Sequence, residues 1–219
     1  MQKGNRMKIG ILGSGTVGQQ LANGFLRTGN EVKIGTRDAS KLNDWLKNAG
    51  QKASIGSFAE AAGFGDIIIL ATSWAGTENA VELAGKNNFK NKIVVDVTNP
   101  LDFSNGAPPK LDSSFGHSAG ERIQSWLPDS KVVKAFNTIS AFIMVNPKLE
   151  EGNPDLVIAG NDSSAKKTVT DFARSFGWQN VIDIGDISQS YLLEAFAMLW
   201  IVFGFKNNHW THAFKLLMK

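Results

Sequence analysis

The chain has 219 residues, no cysteine and a formal net charge of +3, from 23 basic and 20 acidic residues. This length is enough for one α/β domain with a complete core. The lack of cysteine excludes disulfides, thiolate metal sites and cysteine nucleophiles. The basic residues are spread along the chain rather than clustered. This argues against a nucleic-acid partner, whereas a mild positive charge suits a polyanionic small molecule.

Strand and helix patterns alternate along most of the chain. The predicted strands, in chain order, are 7–12, 31–36, a short segment at Ile55, 66–71, 92–97, 131–135, 155–160 and 181–184. The predicted helices are 15–28, 39–49, a short one after Ser57, 76–86, 118–127, 163–176, 189–206 and a short one at the end of the chain, with Asp38, Ser57, Ser118 and Ser188 as N-caps. This alternation predicts an α/β fold, a doubly wound Rossmann-type parallel sheet. We expect residues 7–145 to form its core and residues 146–219 a small C-terminal α/β lobe packed on it.

No sequence feature predicts a metal site, a leader or a membrane span. The three histidines, His117, His209 and His212, are few and scattered. Residues 1–6 are polar and no apolar run follows them, unlike a signal peptide. The longest apolar run, 195–205, is shorter than a membrane span. We expect a cytoplasmic protein in which this run forms a buried core helix, with a homodimer face or a lid over the substrate as alternatives.

A glycine-rich loop follows the first predicted strand and opens the first predicted helix. It is Gly13-Ser14-Gly15-Thr16-Val17-Gly18, a match to G-x-G-x-x-G. In this motif the first glycine permits a tight turn, the second lets the backbone approach a pyrophosphate, and the third lets the helix pack close to the strand. The free N–H groups at the helix start then bind the anion. A structural turn is the alternative, but the strand–loop–helix context predicts a dinucleotide site.

The residues after the second strand select the dinucleotide. An NAD site usually places a carboxylate here to accept from the ribose 2′-hydroxyl, and that carboxylate would repel a 2′-phosphate. This chain has Thr36 and Arg37 instead, with Lys41 one helical turn later. A planar guanidinium can pair with a phosphate through two parallel hydrogen bonds. The sequence therefore predicts NADP(H), the alternative being that Arg37 and Lys41 are solvated surface charges.

Polar residues follow three further strands, at the edge where parallel strands place their ligands. Thr72, Ser73 and Trp74 follow one strand, Asn99 the next and Asn137 the third. The hydroxyls suit ribose or phosphate, the amides suit a carboxamide or a carbonyl, and the indole offers a flat face. Because these residue types also favour turns, a purely structural role is the alternative for each one.

No pair of acidic and basic side chains is placed for proton transfer, and we assign no catalytic residue. His117, in the loop before a helix, is the one candidate. Reduction of a carbonyl normally needs a proton donor near the developing alkoxide. Hydride exchange between NADPH and a flavin-like ring needs mainly proximity and alignment. The sequence therefore favours the second kind of chemistry.

Together these motifs resemble those of the coenzyme F420-dependent NADP reductases and of the reductase domain of the related metalloreductases. The matching segments are 8–18, Gly35-Thr36-Arg37 with Lys41, Ser73-Trp74, Val97-Thr98-Asn99-Pro100, 133–138, and the region around Asp183-Ile184-Gly185. The resemblance extends over most of the chain. It implies that NADP lies across the carboxyl end of the sheet and that a deazaflavin, coenzyme F420, stacks on the nicotinamide toward the C-terminal lobe.

The resemblance also implies roles for individual residues. Thr16, Thr36, Arg37 and Lys41 would hold the phosphates. The second ring would be bordered by the substrate-binding residues Pro100, Phe136, Thr138, Ile187 and Ser188, with Ala135 and Asn137 beside the cofactor. A relative that lacks F420 would use a flavin or another small redox acceptor in its place.

Two other functions stay open at this point. A small-substrate dehydrogenase of the hydroxyacid or imine type would usually carry a large helical C-terminal domain, and many use a catalytic lysine, but the segment 136–219 is short for such a domain. A non-catalytic NADPH-sensing module would bind the cofactor without turnover. A ferric-reductase partner role is disfavoured, because no membrane segment is predicted.

Overall fold

A computed structural model describes residues 6–217. The predicted polar start, residues 1–6, therefore lies outside the described residues except for Arg6.

Eight strands form one sheet, which confirms the predicted α/β Rossmann-type fold. The strands in chain order are β1 (Lys8–Leu12), β2 (Glu31–Gly35), β3 (Ala53–Gly56), β4 (Ile67–Leu70), β5 (Ile93–Asp96), β6 (Leu101–Asp102), β7 (Lys110–Leu111), β8 (Lys131–Lys134), β9 (Asp155–Gly160) and β10 (Asn180–Asp183). The order in the sheet is β3-β2-β1-β4-β5-β8-β9-β10, whereas β6 and β7 pair with each other. A small hairpin thus lies between the predicted strand 92–97 and the predicted helix 118–127, where no strand was predicted.

The two C-terminal strands join this sheet. β10 pairs parallel with β9, but β9 pairs antiparallel with β8, whereas the other neighbours in the sheet are parallel. A parallel continuation needs a crossover, usually a helix. The connection 135–154 contains no helix, and the strand that follows it runs in the opposite direction. The predicted division between residues 7–145 and 146–219 stays a prediction.

Helices cover both faces of the sheet. They are α1 (Thr16–Arg27), α2 (Asn43–Ala49), α3 (Phe58–Phe64), α4 (Trp74–Ala84), α5 (Ala119–Trp126), α6 (Ser163–Phe176) and α7 (Ser190–Asn207). Capping boxes of Ser57 with Glu60 and of Ser118 with Glu121 confirm two predicted helix starts. Asp38 accepts from the Ser40 N–H and caps the 3₁₀ turn that precedes α2.

Strand β4 shows how the core is divided between the two faces. Ile67 and Ile69 belong to one buried cluster, and Ile68 and Leu70 belong to the other. A strand that is buried on both faces is expected to be continuously apolar, as the sequence of β4 is. In the first cluster, Phe25 of α1 packs edge to face against two aromatic rings of α6.

The start of α7 differs from the prediction. Ser188 is not its N-cap. The Asp186 carboxylate accepts from the Ser188 N–H, a 3₁₀ turn covers Ile187–Gln189, and the α-helix begins at Ser190. Aspartate therefore takes the capping position two residues before the predicted one.

The described residues after α7, 208–217, contain no helix, contrary to the prediction of a short last one. This segment packs back along α7. The Trp200 Nε1–H donates to the His212 carbonyl oxygen at 2.8 Å, and the two rings stack with their centroids 4.7 Å apart. A Cβ added at Gly204 would lie 2.6 Å from the Trp210 ring. Aromatic contacts with α7, and backbone hydrogen bonds of Phe214 and Leu216 to Asp155, thus hold this segment in a nonhelical conformation.

Helix α7 is apolar on most of its surface. By length and composition alone, the segment Ile187–Asn207 is able to cross a membrane, and 39% of its apolar window is buried inside the protein. The helix is longer than the apolar run 195–205 within it, and a buried core helix has the same length and composition, so the expectation that this run does not span a membrane stays a prediction. Glu194 and Ala197 are buried, whereas Leu199 and Phe203 are 56% and 46% exposed. One face thus belongs to the core, and the homodimer prediction, which concerns the other face, stays a prediction.

The close packing of α3 against β1 depends on Gly10. A Cβ at this position would lie 2.2 Å from the Ala61 carbonyl oxygen. We expect Gly10→Ala to lower the free energy of unfolding by about 1–3 kcal/mol through overpacking, as measured by urea denaturation. Gly63→Ala is the matched control: its Cβ would meet one atom, at 3.8 Å, and helix propensity should raise stability by roughly 0.5–1 kcal/mol. Equal stabilities of the two variants would contradict the described packing.

Candidate functional site

Two clefts adjoin at the carboxyl edge of the sheet. The first cleft has a volume of about 360 Å³ and is lined by Gly13, Ser14, Gly15, Thr36, Arg37, Asp38, Lys41, Phe58, Ala71, Thr72, Ser73, Gly76 and Asn79. The second cleft has a volume of about 280 Å³ and is lined by Val17, Ala71, Thr72, Ser73, Trp74, Ala75, Val97, Thr98, Asn99, Leu101 and Phe103. The clefts share the residues directly after β4 and therefore form one groove. They meet between β1 and β4, the switch point of the strand order, where such sheets bind ligands.

The three motif glycines have different surroundings. Gly13 has a φ of 126°, and a Cβ there would lie 2.4 Å from the Ala71 carbonyl oxygen. A Cβ at Gly18 would lie 2.2 Å from the Gly13 carbonyl oxygen. A Cβ at Gly15 would meet nothing within 4 Å. The fold itself therefore requires Gly13 and Gly18, whereas Gly15 keeps space open on the side of the first cleft.

The start of α1 has the properties of an anion site. Gly15 is the N-cap residue and makes no side-chain capping bond, and the first turn holds no acidic residue. The helix dipole favours negative charge at this position. The Thr36 hydroxyl donates to Ser14 Oγ at 3.1 Å and so joins the end of β2 to the glycine loop. A phosphate at the helix start would thus have hydroxyl groups beside it.

Positive charge borders the outer side of the first cleft. The side chains of Arg37 and Lys41 are exposed there, together with Asp38. The Asp38 carboxylate accepts from the hydroxyl and the backbone N–H of Ser40, and these hydrogen bonds hold the pKa of Asp38 below its ordinary value. Asp38 is therefore engaged as a helix cap and stays ionised, and the two cations together with this carboxylate leave a net positive charge that can attract an anion.

Trp74 forms one wall of the second cleft in a fixed orientation. Its ring stacks on Trp126 of α5, with centroids 5.7 Å apart and an interplanar angle of 16°. The Arg122 guanidinium lies 4.4 Å from the Trp74 ring centroid and forms a 3.1 Å ion pair with Asp112. Stacking and cation–π attraction together orient the indole. The cleft therefore has a rigid aromatic wall.

Asn99 lines the second cleft and is held from behind by Asn137. Its Nδ2 donates to the Asn137 carbonyl oxygen at 2.8 Å, and its Oδ1 accepts from Asn137 Nδ2 at 3.0 Å. Asn137 is 5% exposed and lines neither cleft. Asn137 thus fixes the side chain that faces the cleft, and its own predicted ligand contact stays a prediction.

The structure brings most of the predicted cofactor residues together. Gly13, Ser14, Gly15, Thr36, Arg37, Lys41, Thr72 and Ser73 line the first cleft, and Val17, Trp74 and Asn99 line the second. Thr16 is exposed at the start of α1 but lines neither cleft, and Gly18 is buried beneath the loop. The binding roles of these residues stay predictions.

The residues that follow β8 line neither of the two clefts, and their predicted binding roles stay predictions. Ala135 and Phe136 are 0% and 1% exposed, and Thr138 is buried as well. The Phe136 ring packs on aromatic rings of α6 and on Trp178. Pro100, on the neighbouring loop, is also buried. The chain turns into the core at Phe136, where φ is 61°, and so leaves the edge of the sheet.

Two predicted substrate residues lie elsewhere. Ile187 is buried and lines a separate opening beside α5, and Ser188 hydrogen-bonds to Asp186. The groove contains Leu101 and Phe103 instead, which lie between a predicted strand and a predicted helix and belong to no motif that identified them from the sequence. An aromatic residue within a polar loop was the available signal.

The histidines take no part in either cleft. His117 is exposed in the loop before α5, and His209 and His212 lie in the segment that packs on α7. Within residues 6–217, no three His, Asp or Glu side chains group as metal ligands.

Comparisons with known proteins agree with this geometry. The family model of the NADP oxidoreductases, coenzyme F420-dependent, matches residues 8–100. The chain is 33% identical over 209 residues to the F420-dependent NADP reductase of Methanocaldococcus jannaschii, which covers 89% of this chain and 91% of that protein. It is 30% identical over 189 residues to Metalloreductase STEAP3 of Rattus norvegicus, covering 86% of this chain but 36% of that protein.

A crystal structure from Arthrobacter sp. FB24, provisionally assigned as an F420-dependent NADP reductase, has the same fold. It matches with a TM-score of 0.92 and 37% sequence identity over 97% of this chain and 100% of that chain. The chain therefore belongs to the family of NADP oxidoreductases, coenzyme F420-dependent, and is an NADP-dependent oxidoreductase.

Proposed function

We propose that the protein transfers hydride between NADP(H) and coenzyme F420, or a flavin-like ring, with the two rings stacked directly on each other. The second cleft is the observation that carries this proposal. Its lining side chains are all neutral: apolar groups, hydroxyls, an indole and an amide. Such a surface can align two flat rings, and transfer of hydride between rings depends mainly on proximity and alignment.

The first cleft provides the charge that the phosphates of NADP(H) require. The open space at Gly15 and the uncapped start of α1 fit the pyrophosphate. The guanidinium of Arg37, with Lys41 beside it, fits the 2′-phosphate. Thr72 and Ser73 border both clefts and would lie along the ribose between them. When bound in this way, NADPH would supply the hydride at its nicotinamide, and the nicotinamide would lie in the second cleft.

Trp74, Asn99 and Phe103 are the residues that we assign to the two rings. Asn99 keeps one N–H and one oxygen lone pair beyond its bonds to Asn137, which suits the nicotinamide carboxamide. Phe103 is 56% exposed and offers an apolar edge to the acceptor. The names of the reductases from Methanocaldococcus and Arthrobacter favour a deazaflavin as that acceptor.

A dehydrogenase of small substrates is less well supported. Such an enzyme needs a proton donor that faces the substrate. Lys134 lies near the same edge of the sheet, but its side chain is completely buried and its ammonium group pairs with Asp96 and Glu194. The ammonium group of Lys134 therefore does not face the cleft and is not placed to donate a proton to a substrate there.

Stopped-flow absorbance tests the acceptor. Protein and NADPH are mixed in turn with F420, FMN, FAD and riboflavin, and the loss of reduced nicotinamide is followed. We expect rapid oxidation with F420, because its tricyclic ring can stack in the neutral cleft. Turnover with flavins alone would keep the hydride mechanism and change the acceptor. Tight binding of NADPH without oxidation by any of the four would contradict the proposal and favour a sensing module.

Arg37→Ala tests the assignment of the 2′-phosphate. One charge-assisted hydrogen bond is worth roughly 1.5–3 kcal/mol, so the affinity for NADPH should fall about 10–150-fold while that for NADH changes little. Dissociation constants from titration calorimetry give both values. Arg174→Ala, which removes an exposed arginine from the last turn of α6, should change neither. An equal loss for both cofactors in Arg37→Ala would remove the residue from the 2′-phosphate site.

Gly15→Val tests the pyrophosphate cradle. The new side chain would enter the space on the cleft side, where a Cβ meets no atom within 4 Å. We therefore expect binding of NADPH to be lost while the thermal unfolding temperature stays within a few degrees of that of the unmodified protein. Unchanged affinity would exclude the glycine loop from the site.

A further inference from the structure

Three charged side chains lie buried next to the second cleft. Lys134 at the end of β8, Asp96 at the end of β5 and Glu194 on α7 expose none of their side-chain surface. Lys134 Nζ lies 2.8 Å from Asp96 Oδ2 and 2.8 Å from Glu194 Oε1, and it donates to the Thr98 carbonyl oxygen at 2.7 Å. We call these three residues the buried ion cluster. The proposed hydride transfer does not use any of them directly.

Lys134 is charged within this cluster. Burial alone would lower the pKa of its ammonium group, but the charges of Asp96 and Glu194 act in the opposite direction and raise the pKa above its ordinary value. Each carboxylate has further donors. Asp96 Oδ1 accepts from the N–H and the hydroxyl of Thr98, and Glu194 accepts from the Ser113 hydroxyl. A buried ion pair is stable only where further hydrogen bonds of this kind compensate the loss of water around each charge.

The cluster holds the wall of the second cleft. Thr98 is bonded through its N–H, its hydroxyl and its carbonyl oxygen to Asp96 and Lys134. The next residue, Asn99, is fixed by Asn137, whose Nδ2 also donates to the Leu193 carbonyl oxygen at 3.0 Å. Helix α7 therefore reaches the segment 98–99 by two routes, one through Leu193 and one through Glu194.

Glu194 also binds the two segments that follow the hairpin. Its carboxylate accepts from the N–H groups of Ala119 and Gly120 at the start of α5, and from Ser113 in the loop after β7. The hairpin that precedes this loop carries Leu101 and Phe103 into the cleft. One carboxylate thus links α7, the hairpin loop, α5 and, through Lys134, the two central strands β5 and β8.

We propose that Glu194 and Lys134 are positioning residues for the nicotinamide end of the groove. They fix Asn99 and the hairpin relative to each other, and so set the width of the cleft in which the two rings must stack. The inference rests on the proposed function, because it assumes that the nicotinamide enters the second cleft. The first cleft lies outside this network, and its affinity for phosphate groups should not depend on it.

Glu194→Gln separates this role from general stability. Glutamine keeps the size of the side chain but removes the charge opposite Lys134 and places an amide against hydrogen-bond donors. Titration calorimetry with 2′,5′-ADP, which fills the first cleft alone, should give an affinity within twofold of the unmodified protein. The affinity for NADPH should fall at least fivefold, the fluorescence of bound NADPH should shift toward that of the free cofactor, and the rate of hydride transfer to the acceptor should fall at least tenfold.

Glu82→Gln is the matched control, because Glu82 is exposed on α4 and lines neither cleft. It should leave all four quantities unchanged. A parallel loss of affinity for 2′,5′-ADP and NADPH in Glu194→Gln would show a structural role alone, and no change in either would show that the cluster does not position the cleft. Both results would overturn the proposal. The binding measurements need no acceptor, so they remain decisive even if F420 and the flavins fail as substrates.

Ser113→Ala gives a second test that does not disturb a buried charge. Ser113 is partly exposed, and the change removes one donor to Glu194. We expect a two- to fivefold loss of NADPH affinity with unchanged affinity for 2′,5′-ADP. Unaltered affinity for both ligands would contradict a link between the hairpin loop and the cleft through Glu194.

Discussion

The carboxyl edge of the sheet depends on the pairing of Lys134 with Asp96 and Glu194. Moving an ion from water into a protein interior costs several kcal/mol, and the cost is offset only where geometry and hydrogen bonds are nearly complete. Helix α7 is apolar on most of its surface and has no single apolar stripe. Burial of apolar side chains alone therefore does not select one rotation of the helix about its axis. Glu194 selects one rotation, because any other would separate its carboxylate from Lys134 and leave the carboxylate buried without an ion-pair partner. The ion pair of Glu194 with Lys134, together with the hydrogen bond from Asn137 to the Leu193 carbonyl oxygen, therefore fixes the rotation of this helix.

The glycine loop imposes a second constraint, at the other end of the same groove. Gly13 and Gly18 are needed because backbone atoms occupy the space of their side chains, whereas Gly15 leaves its space empty. The loop is thus closed on the side of the sheet and open on the side of the cleft. Since it lies at the switch point between β1 and β4, the open side faces the place where α1 and the loop after β4 diverge. The strand order thus creates the groove, and the glycine at position 15 leaves it free of side-chain atoms at that point.

The sequence could predict those parts of the site whose position depends only on neighbouring residues in the chain. The glycine loop, Thr36 with Arg37, and Thr72 to Trp74 each follow a strand directly, so the periodicity of the chain places them at the edge. The residues after β8 follow a strand in the same way, yet they are buried. Their burial depends on contacts with segments that are distant in the chain: Asn137 with α7, and the Phe136 ring with α6 and Trp178. The same limit applies to residues 208–217, where aromatic contacts with α7 override any local preference for a helix.

The site has three regions that differ in charge: the first cleft, the second cleft and the buried ion cluster. Exposed cations stand at the outer end of the first cleft, neutral side chains line the second, and the ions beneath the second cleft are paired with one another. An unpaired ion facing the rings would attract water and would stabilise one charge state of the nicotinamide over the other. Pairing Lys134 internally avoids this while retaining a rigid polar support for Thr98 and Asn99. The arrangement therefore combines positive charge at one end of the groove with a neutral, fixed surface at the other, which are the two conditions that the proposed hydride transfer would require.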